Sequence, residues 1–139
     1  MYDIKEFDNK KTKVLKYIIY KKRTEYEVRT KFKGQIDEEM LEDIITYLKE
    51  SGYINDSEFI EKQVNEYMLL KTMSIKELKY KLYAKGLDKK LIEKYVEQNY
   101  EKLQNYENQC IKKIKAKKEQ TMSEQEIQQY LYKKGYRSE

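Results

Sequence analysis

The sequence predicts an all-α fold of tandem three-helix repeats in an elongated, curved stack, the third repeat incomplete. Three observations carry that expectation. The 139-residue chain has no proline and four glycines, and 40% of it is charged, which suits helices with an apolar stripe and a solvated back. A Ser/Thr-x-x-Glu string recurs at 24–27, 74–77 and 123–126, spaced by fifty and then forty-nine residues. Each string is followed by a glycine stop, at Gly34, Gly86 and Gly135.

Each string has the form of a capping box, in which the hydroxyl accepts the third backbone N–H and the glutamate reaches back to the cap N–H. Apolar residues four and eight places after the cap (Val28 and Phe32, Leu78 and Leu82, Ile127 and Leu131) share one helical face. The first copy is two residues shorter between cap and glycine. A fixed period of this length is the mark of a repeat architecture.

The elements follow in order. Residues 1–9 are expected to be a tail. A helix over 10–22 carries Val14, Leu15, Ile18 and Ile19 on one face. The first boxed helix ends at Gly34, and an acidic first turn, Asp37-Glu38-Glu39, opens a helix over 37–50. Met40, Leu41, Ile44, Ile45 and Leu48 are its expected core, and residues 10–55 form repeat 1. Asn55 with Glu58 caps the helix over 56–70, which is followed by helices over 74–85 and 88–98, so repeat 2 spans 56–98. A long helix over 99–118 and a boxed helix over 123–134 form a partial repeat 3 at 99–139. That gives eight helices, with the junction near Asn99 the one that has no glycine.

Composition excludes several functions. With no histidine, metal sites and base-activated nucleophiles lack their usual residue. All four glycines sit at helix ends, so there is no phosphate-cradling loop, and the scattered carboxylates suit caps and helix-surface pairs with lysine. No enzyme, cofactor or metal is expected. The lone Cys110 lies on an apolar stripe and reads as a small core residue. With no apolar leader and no long uncharged stretch, the expectation is a cytoplasmic monomer with no membrane contact.

Three further strings resemble the RecX regulatory proteins, which modulate the RecA recombinase. Arg23-Thr24-Glu25-Tyr26-Glu27-Val28-Arg29 is similar to that family's first-repeat signature. Glu50-Ser51-Gly52-Tyr53-Ile54-Asn55-Asp56-Ser57-Glu58-Phe59 resembles the junction after it, and Ile75-Lys76-Glu77-Leu78 through Ala84-Lys85-Gly86-Leu87 resembles the second repeat. The resemblance implies tandem three-helix repeats that bind along the RecA–DNA filament and commonly inhibit its ATPase and strand exchange. Against that pattern the third repeat is expected to be incomplete and the amino-terminal extension of some members is not expected in these residues.

A binding surface is expected opposite the apolar face of the boxed helices. At 100° per residue that face carries Tyr26, Arg29 and Lys33 in the first copy, and Lys76, Lys79, Tyr80 and Tyr83 in the second. Arg23 and Arg29 also match the family signature, and a guanidinium makes bidentate contacts that an ammonium cannot. A second basic cluster, Lys112, Lys113 and Lys115, wraps the polar side of the Ile111/Ile114 stripe. Lys and Arg interleaved with Tyr suit an acidic protein groove or a phosphate backbone. The partners expected are therefore the RecA filament and DNA, single- or double-stranded. Two other readings stay open: a stand-alone DNA-binding helical protein, and a helical-repeat adaptor for another protein.

Overall fold

The structure is a computed structural model that describes residues 2–137. Among these residues it contains eight α-helices: α1 (Ile4–Tyr20), α2 (Glu25–Phe32), α3 (Glu38–Glu50), α4 (Asp56–Leu70), α5 (Ile75–Ala84), α6 (Lys89–Gln98), α7 (Tyr100–Lys118) and α8 (Glu124–Lys133). The eight agree in number and order with the sequence expectation, and no strand is formed among the described residues.

The helices divide between two compact units. The first is Met1–Phe59 with Lys85–Leu87, and the second is Ile60–Ala84 with Asp88–Glu139. In the first, α1, α2 and α3 all pack against one another. Val14 and Ile18 from α1, Val28 and Phe32 from α2, and Met40, Leu41, Ile44, Ile45 and Leu48 from α3 share one core with Ile36 and Ile54. Tyr17 meets the Phe32 ring edge-on, with centroids 5.6 Å apart, a favoured aromatic geometry. In the second unit α5, α6 and α7 pack mutually and α8 lies on α7. Cys110, Ile127, Leu131 and Tyr136 form a small core there, so Cys110 is a buried apolar side chain as expected.

Two sequence expectations need correction. The first helix starts at Ile4, so most of the expected tail is helical. Asp3 caps it by accepting the Lys5 N–H, and Phe7 stacks on Tyr2 at 5.8 Å. The helix also ends at Tyr20, and Ile19 is 71% exposed instead of joining Val14 and Ile18 in the core. Ile19 is one residue past Ile18, so 100° of rotation carries it to the edge of the stripe and into solvent. The glycine-free junction falls at Asn99, where one helix ends and the next begins. Its side-chain amide donates to the Tyr95 carbonyl at 2.9 Å and so closes α6, while α7 gains no side-chain cap from it.

Candidate partner-binding surface

The surface is set by the boxed helices, and their first turns hold more than the capping box itself. Thr24 Oγ1 accepts the Glu27 N–H at 3.1 Å, and Glu27 accepts the Thr24 N–H at 2.9 Å. The same hydroxyl donates to the Lys85 carbonyl at 3.1 Å, inside the first unit. Ser74 repeats the pattern in the second unit. It accepts from Glu77 N–H at 3.1 Å and donates to the Lys134 carbonyl at 2.6 Å. The next N–H is satisfied as well: Glu25 N–H by the Asp56 carboxylate at 3.0 Å, and Ile75 N–H by Glu107 at 2.8 Å. Helix starts leave four N–H groups without intrahelical partners, and these carboxylates supply acceptors that a capping box alone does not.

Glycines make these junctions close. Gly86 has φ +78°, and a Cβ there would lie 2.1 Å from Tyr26 Cγ. At Gly135, φ +88°, a Cβ would sit 3.0 Å from Lys76 Cβ and 3.1 Å from the Ser74 hydroxyl. Positive φ already favours glycine; at Gly86 the Tyr26 side chain also fills the place a Cβ would take, and at Gly135 the neighbours would have to give by a few tenths of an ångström. Thr24 and Ser74 are fully buried. Ser123 makes the same box with Glu126, at 3.1 and 2.9 Å, yet it is exposed.

The first-copy residues picked from sequence meet different fates. Arg23 lays its guanidinium over the Tyr17 ring, 4.1 Å from the centroid, and its Nε is buried without a hydrogen-bond partner. Tyr26 is half exposed while the rest of its ring covers Gly86. Arg29 grips Glu42 of α3 through both terminal nitrogens, at 2.6 and 2.9 Å, and Glu25 through Nε at 3.0 Å. The Glu42 bond holds the Arg29 guanidinium pKa well above its usual value. Burial works against the Glu25 carboxylate, but bonds from Lys49 and Arg29 outweigh it and keep its pKa below the ordinary glutamate value. Lys33 follows α2 and is exposed.

In the second copy, Lys79 pairs with Glu93 at 3.1 Å and Tyr83 donates to the same carboxylate at 2.9 Å. Those two bonds lower the Glu93 pKa. Tyr80 is 74% exposed, and Lys76 is exposed with its stem along Gly135. Arg29 and Lys79 are therefore tied to neighbouring helices, whereas Lys33, Lys76 and Tyr80 face solvent.

Lys112, Lys113 and Lys115 are exposed on α7, and among the described residues none of them forms an ion pair. Lys118, at the end of that helix, lies over the Tyr130 ring at 4.2 Å. Residues 108–137 hold eight basic and three acidic side chains, an excess of five that equals the net charge of the whole chain. The lysines are plain in the sequence, and their concentration emerges once charge is summed by segment. Among the described residues no group of His, Cys, Asp and Glu could hold a metal ion, and no helix is long and apolar enough to cross a membrane.

Repeated boxed helices locked by paired polar junctions, with a basic carboxy-terminal segment, define a helical-repeat protein. No family model matches the chain, but individual relatives do. It is 30% identical over its whole length to the regulatory protein RecX of Staphylococcus epidermidis, covering 55% of that protein. It is 31% identical over 96% of its length to RecX of Streptococcus pneumoniae, covering 53%, and 35% identical over 85 residues to RecX of Finegoldia magna. In fold it is similar to the crystal structure of RecX from Lactobacillus salivarius, with a TM-score of 0.81 at 23% identity, over 96% of this chain and 90% of that one. The chain belongs to the RecX family of regulatory proteins, and it spans about half the length of the curated relatives it matches.

Proposed function

We propose that the protein binds the RecA–DNA filament in the cytoplasm and modulates it, chiefly by inhibiting ATPase and recombinase activity in DNA repair and recombination. The observation that supports this most is the match to RecX relatives along the whole of this chain, carried on a repeat whose junctions recur in it. A repeat protein can offer successive small contacts to successive filament subunits, and linked contacts gain from high effective concentration. Lys33, Lys76 and Tyr80 are the free members of the boxed-helix faces and the first candidates for such contacts. The test is DNA-dependent ATP hydrolysis by the matching recombinase as this protein is titrated in. A fall in rate is expected; an unchanged rate at saturating protein, together with no filament binding, sinks the proposal.

Direct DNA binding is a second reading, favoured by the unpaired Lys112, Lys113 and Lys115 and the local charge excess of five. Phosphate contacts made by these lysines release counterions, so affinity for bare DNA should fall steeply with salt. Binding that is weak and insensitive to salt would remove this reading and leave the filament protein as the partner. We place the protein as a monomer, which sedimentation would check.

A further inference from the structure

The cations of α7 fall on two separate surfaces. Lys112 and Lys115 line one of them with Ile111 and Gln128. Lys113, Lys117 and Lys118 line another, a smaller cleft of about 250 Å³ to which Lys134, at the end of α8, contributes a fourth cation. Residues 113 and 117, and 114 and 118, are each one turn apart, so these cations run along one edge of the helix beside Ile114. Lys118 and Lys134 converge further, because both ammonium groups lie against the Tyr130 ring, 4.2 and 5.8 Å from its centroid.

The rest of the wall comes from the second copy: Thr72 ahead of the Ser74 box, and Glu77 within it. The cleft thus lies where the third copy's glycine turn is bolted to that box, by the Ser74–Lys134 bond at 2.6 Å. All its walls are elements of the second unit. Glu77 is the one carboxylate on the lining, and its Oε1 already accepts the Ser74 N–H at 3.1 Å. Among the described residues none of the four lysines has an ion-pair partner.

Four cations against one carboxylate leave an excess of three positive charges in this cleft. Ile114 and Tyr136 make part of the wall apolar, and low-dielectric walls focus the field of such charges. A phosphomonoester carries about 1.5–2 negative charges at pH 7, too few to balance that excess, whereas a chain of two or three phosphates balances it. Sites for whole small molecules run to about 300–1,000 Å³, so the cleft takes the phosphate chain and leaves any attached group in solvent.

We infer that this cleft binds the phosphate chain of a small oligophosphate, with the four lysines on its oxygens and the Thr72 hydroxyl as a neutral donor. Lysine meets phosphate as a point charge without the fixed fork of arginine. Four of them therefore suit a flexible chain better than a planar carboxylate.

The probe is inorganic tripolyphosphate, titrated into the intact protein at about 0.15 M salt and followed by calorimetry and NMR. Saturable one-to-one binding is expected, with shifts at Thr72, Tyr130 and Lys134. K117E/K134E, at two exposed positions, should weaken it at least tenfold. K112E/K115E makes the same charge change outside the cleft and should leave affinity within about threefold, since exposed charges are largely screened at that salt. Adenosine monophosphate should bind at least tenfold more weakly than the probe. Adenosine triphosphate binding as tightly as tripolyphosphate assigns the site to a nucleotide, and far weaker binding assigns it to an inorganic chain; both support the proposal. Equal binding of the monophosphate overturns it. So do no saturation at millimolar tripolyphosphate, equal losses in the two double variants, or displacement of the probe by an equimolar single-stranded oligonucleotide. None of these readouts involves a recombinase, so their failure is separate from failure of the filament proposal.

Discussion

Thr24 and Ser74 open their helices with the same local motif as Ser123, yet the first two are fully buried and the third is exposed. Within each unit the difference has one source. The buried hydroxyls also donate across sixty residues or so to a carbonyl just ahead of a glycine, Lys85 or Lys134. Ser123 has no such acceptor among the described residues. The motif therefore encodes where a helix starts, and a distant glycine turn decides whether that start becomes core. Substitutions at the two kinds of site should separate the two roles.

The largest contrast is expected between glycines. Gly86→Ala places a Cβ into the Tyr26 ring at φ +78°. The left-handed conformation costs an L-residue about 1–2 kcal/mol, and overpacking adds about 1–3 kcal/mol. Gly34 has φ +81° but nothing within 4 Å of the added carbon, so Gly34→Ala incurs only the conformational part. Urea unfolding midpoints would show the gap; equal losses would mean that Tyr26 moves aside and that the junction is looser than drawn.

Hydroxyls come next. Ser74→Ala removes a cap worth about 1 kcal/mol and also leaves the Lys134 carbonyl without its donor, a further cost of about 1–3 kcal/mol if that group stays dry. Ser123→Ala loses the cap alone. A loss at Ser74 at least twice that at Ser123 is expected from thermal unfolding. Matching losses would show that water replaces the missing donor.

The extent to which this was legible in sequence follows the same division. Helix starts, glycine stops and the α3 core could be read because they are local: a cap, a period, a left-handed turn. The helical start at Ile4 has a local signal, Asp3 with Glu6 three residues on, but the segment carries little apolar surface and Phe7 gains its partner, Tyr2, only in three dimensions. Arg29 and Lys79 lie on the expected faces, but their tie to Glu42 and Glu93 depends on where α3 and α6 pack, which no spacing within one helix reveals. Glu107 stands at a core spacing, four residues after Leu103 and three before Cys110, but its partner is not legible in the sequence. It is 2% exposed and serves the Ile75 N–H. In thermal unfolding Glu107→Ala should cost more than Glu101→Ala, at the exposed glutamate of α7, with Glu107→Gln recovering most of the loss by keeping an acceptor.

The smallest effect expected is electrostatic, and it belongs to the first unit. Glu25 and Glu42 both have folded pKa values below the ordinary 4.5, Glu42 chiefly through Arg29. A depressed carboxylate pKa contributes stability above the unfolded value and loses it as pH falls through the folded one. The ion pairs around Arg29 should thus weaken only below about pH 4.5. Asp56 runs the other way: burial raises its pKa, so acidification relieves a charged group and offsets part of the loss. The carboxylate of Glu42 is 56% exposed, and surface pairs contribute under about 1 kcal/mol, so the net slope should be shallow. Arg29→Ala should flatten it further while leaving the Thr24 box in place. If the acid slope survives that substitution unchanged, the pH dependence originates elsewhere, and Arg29 fastens α3 without governing the unit's response to acid.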